Sequence, residues 1–309
     1  MTTRVFYSGH RNYKKHTHTL GKSIHKFETV LCDVETEQFN NFNDIIARDL
    51  GSRGNKIVEV LYSGGIDSEL VLASCLQQGI PCRAVTMRLL TNNCAINTHD
   101  LYYSERFCRA QGIPQHIVDL DCDRFFGNGD FVTYLKPYLI TEPHVATHFW
   151  LLEQCSSFPV LGGDYPWPWL HVNPRVISPY RHHYSYYDEF MASHGITGIG
   201  SVLSHSLEIA AHCLQEHVKL AQDNLATYNG DLKRITQLTA DLYTSLCGVQ
   251  LERRLRSFGW DRVPVGVFNL MLYSGQLLTQ FGTTNSEIVW QEKIAQAIGS
   301  VPGTNNRFI

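Results

Sequence analysis

The sequence predicts an α/β protein: a doubly wound parallel sheet followed by a mostly helical C-terminal region. Three observations lead there. Apolar, β-rich runs alternate with single helix-like runs between residues 27 and 163. Glycine or proline punctuates most of the junctions. Beyond about residue 180 the pattern turns helical, with apolar residues three and four apart.

The elements follow in order. "FETVLCDV" (27–34) reads as a strand, and "EQFNNFNDIIARDL" (37–50) as a helix with Phe39, Phe42, Ile45 and Ile46 at helical spacing, broken by Gly51 to Asn55. "KIVEVLYS" (56–63) is the next strand, "DSELVLASCLQQG" (67–79) a helix ended by Gly79, and "PCRAVTMRLL" (81–90) a second core strand. "NTHDLYYSERFCRAQG" (97–112) is a helix with Asn97 or Thr98 as N-cap and Gly112 at its end. "QHIVDLD" (115–121) is a strand, "HVATHFWLLEQCS" (144–156) a helix and "FPVLGG" (158–163) the last strand. Strands separated by single helices lie parallel, joined by right-handed crossovers, and bind ligands at their carboxyl ends. The helical region holds 204–228, 231–248 and 285–299. Three units result: a basic N-terminal segment with a strand and a helix (1–55), an α/β core (56–180) and a helical region (181–309), with a soft boundary near Pro179.

A chain of 309 residues with 43% hydrophobic and 18% charged residues and a net charge of -3 has the composition of a globular protein with a substantial core. Nine scattered cysteines without a C-x-x-C pair point to a reducing compartment. The N-terminus lacks the apolar run of a signal peptide and no stretch has membrane-helix length, so the expected location is the cytoplasm. Charge is uneven. Residues 1–27 contain Arg4, Arg11, Lys14, Lys15, Lys22 and Lys26 and no acid, interleaved with four histidines and with Phe6, Tyr7, Tyr13 and Phe27. That is the composition of a surface that meets phosphates or nucleic acid, or else of a solvated basic loop.

The stretch "LYSGGIDSELVL" (61–72) stands at the end of the first core strand and the start of the helix after it. A helix N-terminus presents unpaired N–H groups and partial positive charge, so it holds anions without a cationic side chain. Gly64 and Gly65 allow a tight turn and close approach to a phosphate, while Ser63 and Ser68 offer hydroxyls. Asp67 suits such a place only if a divalent cation bridges it to the phosphate, which is the role of Mg²⁺.

"SGGIDS", Ser63 to Ser68 with Ile66 in the variable position, resembles the S-G-G-x-D-S signature of the N-type PP-loop ATP pyrophosphatases, which include asparagine, GMP and NAD synthetases and several tRNA-modifying enzymes. The resemblance covers residues 56 to about 165 and implies an adenine nucleotide alpha hydrolase-like, Rossmann-like fold. It implies cleavage of ATP to AMP and pyrophosphate, with Mg²⁺, adenylation of an acceptor oxygen, and attack by a nitrogen or sulfur nucleophile. "LGGDYPW" (161–167) is similar to a second loop of the asparagine-synthetase-like branch; it implies that Gly162 and Gly163 approach the nucleotide and that Asp164 joins Asp67 at the metal. By the same pattern the backbone near Met87 pairs with adenine and Arg88 reaches a phosphate or substrate. "SHSLEIAAHCL" (204–214) and "LCGVQLERRLRSFGWDR" (246–262) resemble, loosely, helical parts of that branch, phage-encoded members included.

Departures shape the expectation. The chain begins Met1-Thr2-Thr3 and has no room for a glutaminase before Lys56, so ammonia or an amine comes from elsewhere. Cysteine clusters for zinc or iron–sulfur centres are absent, and Cys94 is the candidate if sulfur moves through a single cysteine. "LGKS" (20–23) lacks the first glycine of a Walker loop, having His16 there. "HVATH" (144–148) puts two histidines one turn apart without a third ligand, which favours ordinary packed histidines. "SPYRHHYSYYDE" (178–189) either stacks part of a nucleotide-like acceptor or packs at a junction. The expected reaction joins an adenylated carbonyl or carboxylate to nitrogen; the alternatives are sulfur transfer and an inactive nucleotide-binding protein.

Overall fold

The computed structural model describes residues 2–7, 30–35, 42–138, 143–163, 185–205, 209 and 232–251. Strands β1 (Thr2–Tyr7) and β2 (Val30–Glu35) pair antiparallel, Thr2 opposite Glu35 and Tyr7 opposite Val30, as a sheet of their own. The run predicted at 27–34 therefore forms a strand outside the parallel sheet. Its partner went unpredicted because the charge of the N-terminal segment masked a short β-favouring run, Val5, Phe6 and Tyr7.

The main sheet contains β3 (Val58–Leu61), β4 (Cys82–Thr91), β6 (Gln115–Asp121) and β7 (Phe158–Leu161), all parallel, in the order β6-β4-β3-β7. Every residue of β3 and β7 is buried, as expected of central strands covered on both faces. Strand β4 runs past the end of β3 and turns back through Asn92 and Asn93, at φ of 51° and 59°, into the two-residue strand β5 (Cys94–Ala95). Two consecutive residues at positive φ make the tight hairpin turn whose twist suits paired strands.

Alternate strand residues feed two cores. Val58, Val60, Ala84, Phe158 and Val160 pack with α1 (Phe42–Asp49), α2 (Ile66–Gln77) and Cys108 of α3 (Thr98–Gln111). Leu61, Val85, Leu89 and Leu161 pack with α4 (Cys122–Gly127), α5 (Asp130–Leu135), α6 (Pro143–Glu153) and α7 (Ser185–Ser193). The architecture is thus α/β with helices on both faces of a parallel sheet. Helices α4 and α5 were not predicted, being six residues each and too short to show a helical period. Helix α8 (Leu232–Cys247) lies within the predicted 231–248 and sends Leu242, Tyr243, Leu246 and Cys247 into the first core, against α1 and α2. Residues of α8 thereby share in covering one face of the sheet. The helices predicted at 285–299 and over nearly all of 204–228 lie outside the described residues.

Candidate functional site

In chain order, β3, β4 and β6 step outward in one direction, and β7 then returns to the far side of β3. A reversal of this kind opens a crevice at the strands' carboxyl ends, where ligands of such sheets bind. Residues 62–65 follow β3 there, and Gly162 and Gly163 follow β7.

Gly64 adopts φ +78, and a Cβ on it would stand 2.8 Å from the Asp100 carbonyl oxygen and 3.2 Å from the Ser104 nitrogen. Glycine is required here by the turn and by the backbone of α3, so the space it clears is filled by protein. Gly162 is needed similarly. Its Cβ would meet the Asp67 carbonyl carbon at 2.7 Å and the Ser68 nitrogen at 2.8 Å, so the two loops touch backbone to backbone. Gly65 is extended (φ -87, ψ 146) and precedes α2, whose start has no side-chain cap. A glycine at the N-cap brings no side-chain oxygen of its own to the first turn, an arrangement that suits a bound anion. Ser63 is exposed. Ser68 donates its hydroxyl proton back to the Leu61 carbonyl at 2.9 Å, which ties α2 to the end of β3.

Asp67 lies half-buried in the first turn of α2, and Tyr243, fully buried on α8, donates its phenol O–H to Asp67 Oδ1 at 2.5 Å. Nothing in the sequence marked Tyr243, which reads as one apolar position of an amphipathic helix. Two residues on, buried Glu69 accepts a hydrogen bond from Tyr62 at 2.7 Å. Backbone donors at an uncapped helix start, beside a fixed carboxylate, fit a phosphate group with a divalent cation between it and Asp67. Asp164 lies outside the described residues.

At the end of β4, Asn97 does not cap α3. Its side-chain amide donates to the Met87 carbonyl at 2.9 Å and accepts from the Leu89 N–H at 2.9 Å, so it extends the strand edge where β3 has ended. Arg88 makes a bidentate pair with Asp119 at 2.6 and 2.7 Å, which lowers the Asp119 pKa and raises that of Arg88. The structure thus places Met87 and Arg88 on the same strand end, each with a protein partner. Cys94 is exposed on β5. Burial pushes the thiols of Cys108, Cys122 and Cys155 up to about 12, which leaves them unreactive.

Other predicted candidates go elsewhere. Tyr187 is buried and its hydroxyl lies 2.6 Å from His148 Nδ1, while Tyr186 packs edge-on against Phe149; of the tyrosine-rich stretch, these two are core residues. Tyr180, Arg181 and Tyr184 lie outside the described residues, as do Lys14 and Lys15. Among the described residues no group of three or more His, Cys, Asp or Glu is placed to hold a metal, so the His144 and His148 pair has no third ligand there. No helix among them is long and apolar enough to cross a membrane.

No family model matches the chain. Over 84 residues, 27% of this chain, it is 33% identical to the tRNA-specific 2-thiouridylase MnmA of Thermosynechococcus vestitus, and the match spans 21% of that protein's length. Among solved structures, NMN synthetase from Francisella tularensis aligns with 80% of this chain and 96% of its own at 12% identity and a TM-score of 0.33. The NH3-dependent NAD synthetase from Campylobacter jejuni, in complex with nitrate, aligns with 72% and 97% at 16% identity and a TM-score of 0.30. A predicted subunit of tRNA methyltransferase from Methanocaldococcus jannaschii aligns with 52% and 74% at 18% identity and a TM-score of 0.31. At such scores the assignment of architecture rests on the strand order and the two cores described above.

Proposed function

We propose that the chain is a PP-loop ATP pyrophosphatase that cleaves ATP to AMP and pyrophosphate, adenylates a carbonyl or carboxylate oxygen of its acceptor, and joins that carbon to a nitrogen nucleophile supplied as ammonia or an amine. The observation that carries this reading is the position of Ser63 to Ser68. An S-G-G-x-D-S sequence lies at the switch point of a parallel sheet, on an uncapped helix start, with a carboxylate in its first turn. The local likeness to an enzyme named for 2-thiouridylation supports the same class.

In this reading the amides at the start of α2 hold pyrophosphate oxygens, and Ser63 faces the same anion. Asp67 and Asp164 would hold Mg²⁺, which when bound would supply positive charge to the pyrophosphate oxygens. Tyr243 fixes one Asp67 oxygen and orients the other. Met87 offers backbone to adenine, and Arg88 serves the phosphate or the acceptor. Gly162 keeps the second loop against the first, and Gly163 lets the chain pass close to Ser201.

Sulfur transfer is the second reading, favoured by two observations: the local likeness to a 2-thiouridylase, and the exposure of Cys94 on the hairpin beyond β4. One experiment tests the common step. Incubation with Mg²⁺, α-labelled ATP and cell extract should yield AMP and pyrophosphate; ADP and orthophosphate as the only products would overturn the assignment. Replacing Cys94 by Ser then separates the readings, since only sulfur transfer needs that thiol.

A further inference from the structure

Helix α3 carries beside the loop a stripe of rings on the side opposite its fully buried residues. Its buried side is Asp100, Leu101, Ser104 and Cys108. Its outer side carries His99, Tyr102, Tyr103 and Arg106, three and four residues apart and hence on one face. His99 stacks on Tyr103 with centroids 4.8 Å apart and planes 19° apart, and Tyr102 meets Tyr103 edge-on at 5.4 Å. The Arg106 guanidinium lies 5.9 Å from the centre of the Tyr102 ring and 5.4 Å from that of Tyr103. Tyr102 is 59% exposed. The stripe begins at the site, because the Tyr103 Cβ is 3.3 Å from where a Cβ on Gly64 would stand.

Tyr102 and Arg106 are exposed while His99 and Tyr103 are half-buried beside them, and rings with a guanidinium among them match one ligand chemistry well. Unpaired bases present π-faces that stack on tyrosine whatever their sequence, and the phosphates between them meet arginine. A small amino-acid acceptor needs no such stripe. Two arginines, Arg106 and Arg109, are exposed on this helix against one exposed carboxylate, Glu105. We propose that the His99, Tyr102, Tyr103 and Arg106 face of α3 is a stacking platform for a single-stranded polynucleotide. That this polynucleotide is the acceptor rests on the ATP-cleaving function proposed above; the platform itself does not.

The test is fluorescence anisotropy of a labelled single-stranded RNA of about ten nucleotides with the full chain. Wild type should bind. Tyr102→Ala should weaken binding roughly tenfold and Tyr102→Phe should leave it unchanged, because the ring and not the hydroxyl stacks. Arg106→Gln should flatten the salt dependence by about 0.7 in log–log slope. Single-stranded DNA of the same sequence should compete, and a duplex, whose bases are stacked away, should not. No binding by wild type, full binding by Tyr102→Ala, or equal binding of duplex would overturn the proposal. A parallel loss of ATP affinity in Tyr102→Ala would overturn it too, by giving the rings to the adenine of ATP. If ATP is not cleaved and RNA still binds through Tyr102, the proposed reaction fails and the platform stands.

Discussion

The two ends of the parallel sheet treat a carboxylate in opposite ways. Near the amino end, Glu59 is fully buried on β3 and is closed off by protein: Arg83 of β4 donates to it through Nε at 2.8 Å and through Nη2, Ser156 through its hydroxyl at 3.4 Å, and the Ser157 N–H at 2.6 Å. These partners stitch β3 to β4 and to the entry of β7. At the carboxyl end, Asp67 sits half-buried where a helix begins without a cap, with two loops in backbone contact around it and a tyrosine on one of its oxygens. A carboxylate surrounded by donors from its own strands serves the fold. One placed at a helix start whose N-cap is a glycine suits a cation and an anion from outside.

That contrast is broken most severely at Glu59. Glu59→Ala leaves the half-buried Arg83 without its counter-charge, and loss of one partner of a buried pair costs about 3 kcal/mol or more. Urea unfolding should show this, while turnover per folded molecule stays near wild type. A cost under about 1 kcal/mol would mean that water replaces the carboxylate and that the cluster is not closed.

Asp67 should behave in the reverse manner. Asp67→Asn keeps the size and the Tyr243 contact but removes the charge for the cation, so ATP cleavage should fall by at least ~10²-fold with the urea midpoint retained. Near-normal turnover would remove Asp67 from the mechanism. Tyr243→Phe isolates the hydroxyl: stability should fall by about 1 kcal/mol and the Mg²⁺ concentration for half-maximal cleavage should rise. Lost stability with an unchanged Mg²⁺ requirement would make Tyr243 a packing residue alone.

What the sequence disclosed follows from the distance over which each feature is written. Strands β3, β4, β6 and β7 and helices α2 and α3 are local patterns, and the loop at Ser63 to Ser68 is six consecutive residues. Tyr243 touches Asp67 across 176 residues of chain, and Glu59 meets Ser157 across 98. No local period encodes such a meeting. Asn97 shows the limit even at short range: its position before a helix reads as a cap, yet the neighbouring strand edge offers its amide both a donor and an acceptor. Gly64 and Gly162 show the same dependence on distant chain. Sequence pointed to close approach, and the structure shows that what approaches is α3 at one and the Asp67 backbone at the other.

The smallest effect sharpens the contrast from the other face of the sheet, where the protein holds an ionisable group neutral. His148 on α6 is half-buried with Tyr187 at its Nδ1, and burial, then the neighbouring His144, lowers its pKa to about 3. In the unfolded chain the same imidazole titrates near its ordinary value of about 6.5. Above that pH neither state is protonated and stability is undiminished. Between about 6.5 and about 3 the unfolded state binds a proton that the folded state refuses, so stability falls with falling pH by up to about 1.4 kcal/mol per pH unit; below about 3 both are protonated and this loss stops growing. His148→Gln keeps a hydrogen-bonding group for Tyr187 but cannot titrate. Urea unfolding of both proteins at pH 7 and pH 5 should therefore show wild type losing about 1 to 2 kcal/mol more than the variant. Equal losses would mean that His148 protonates in place, with water reaching the ring, and that this face is as open as the carboxyl end of the sheet.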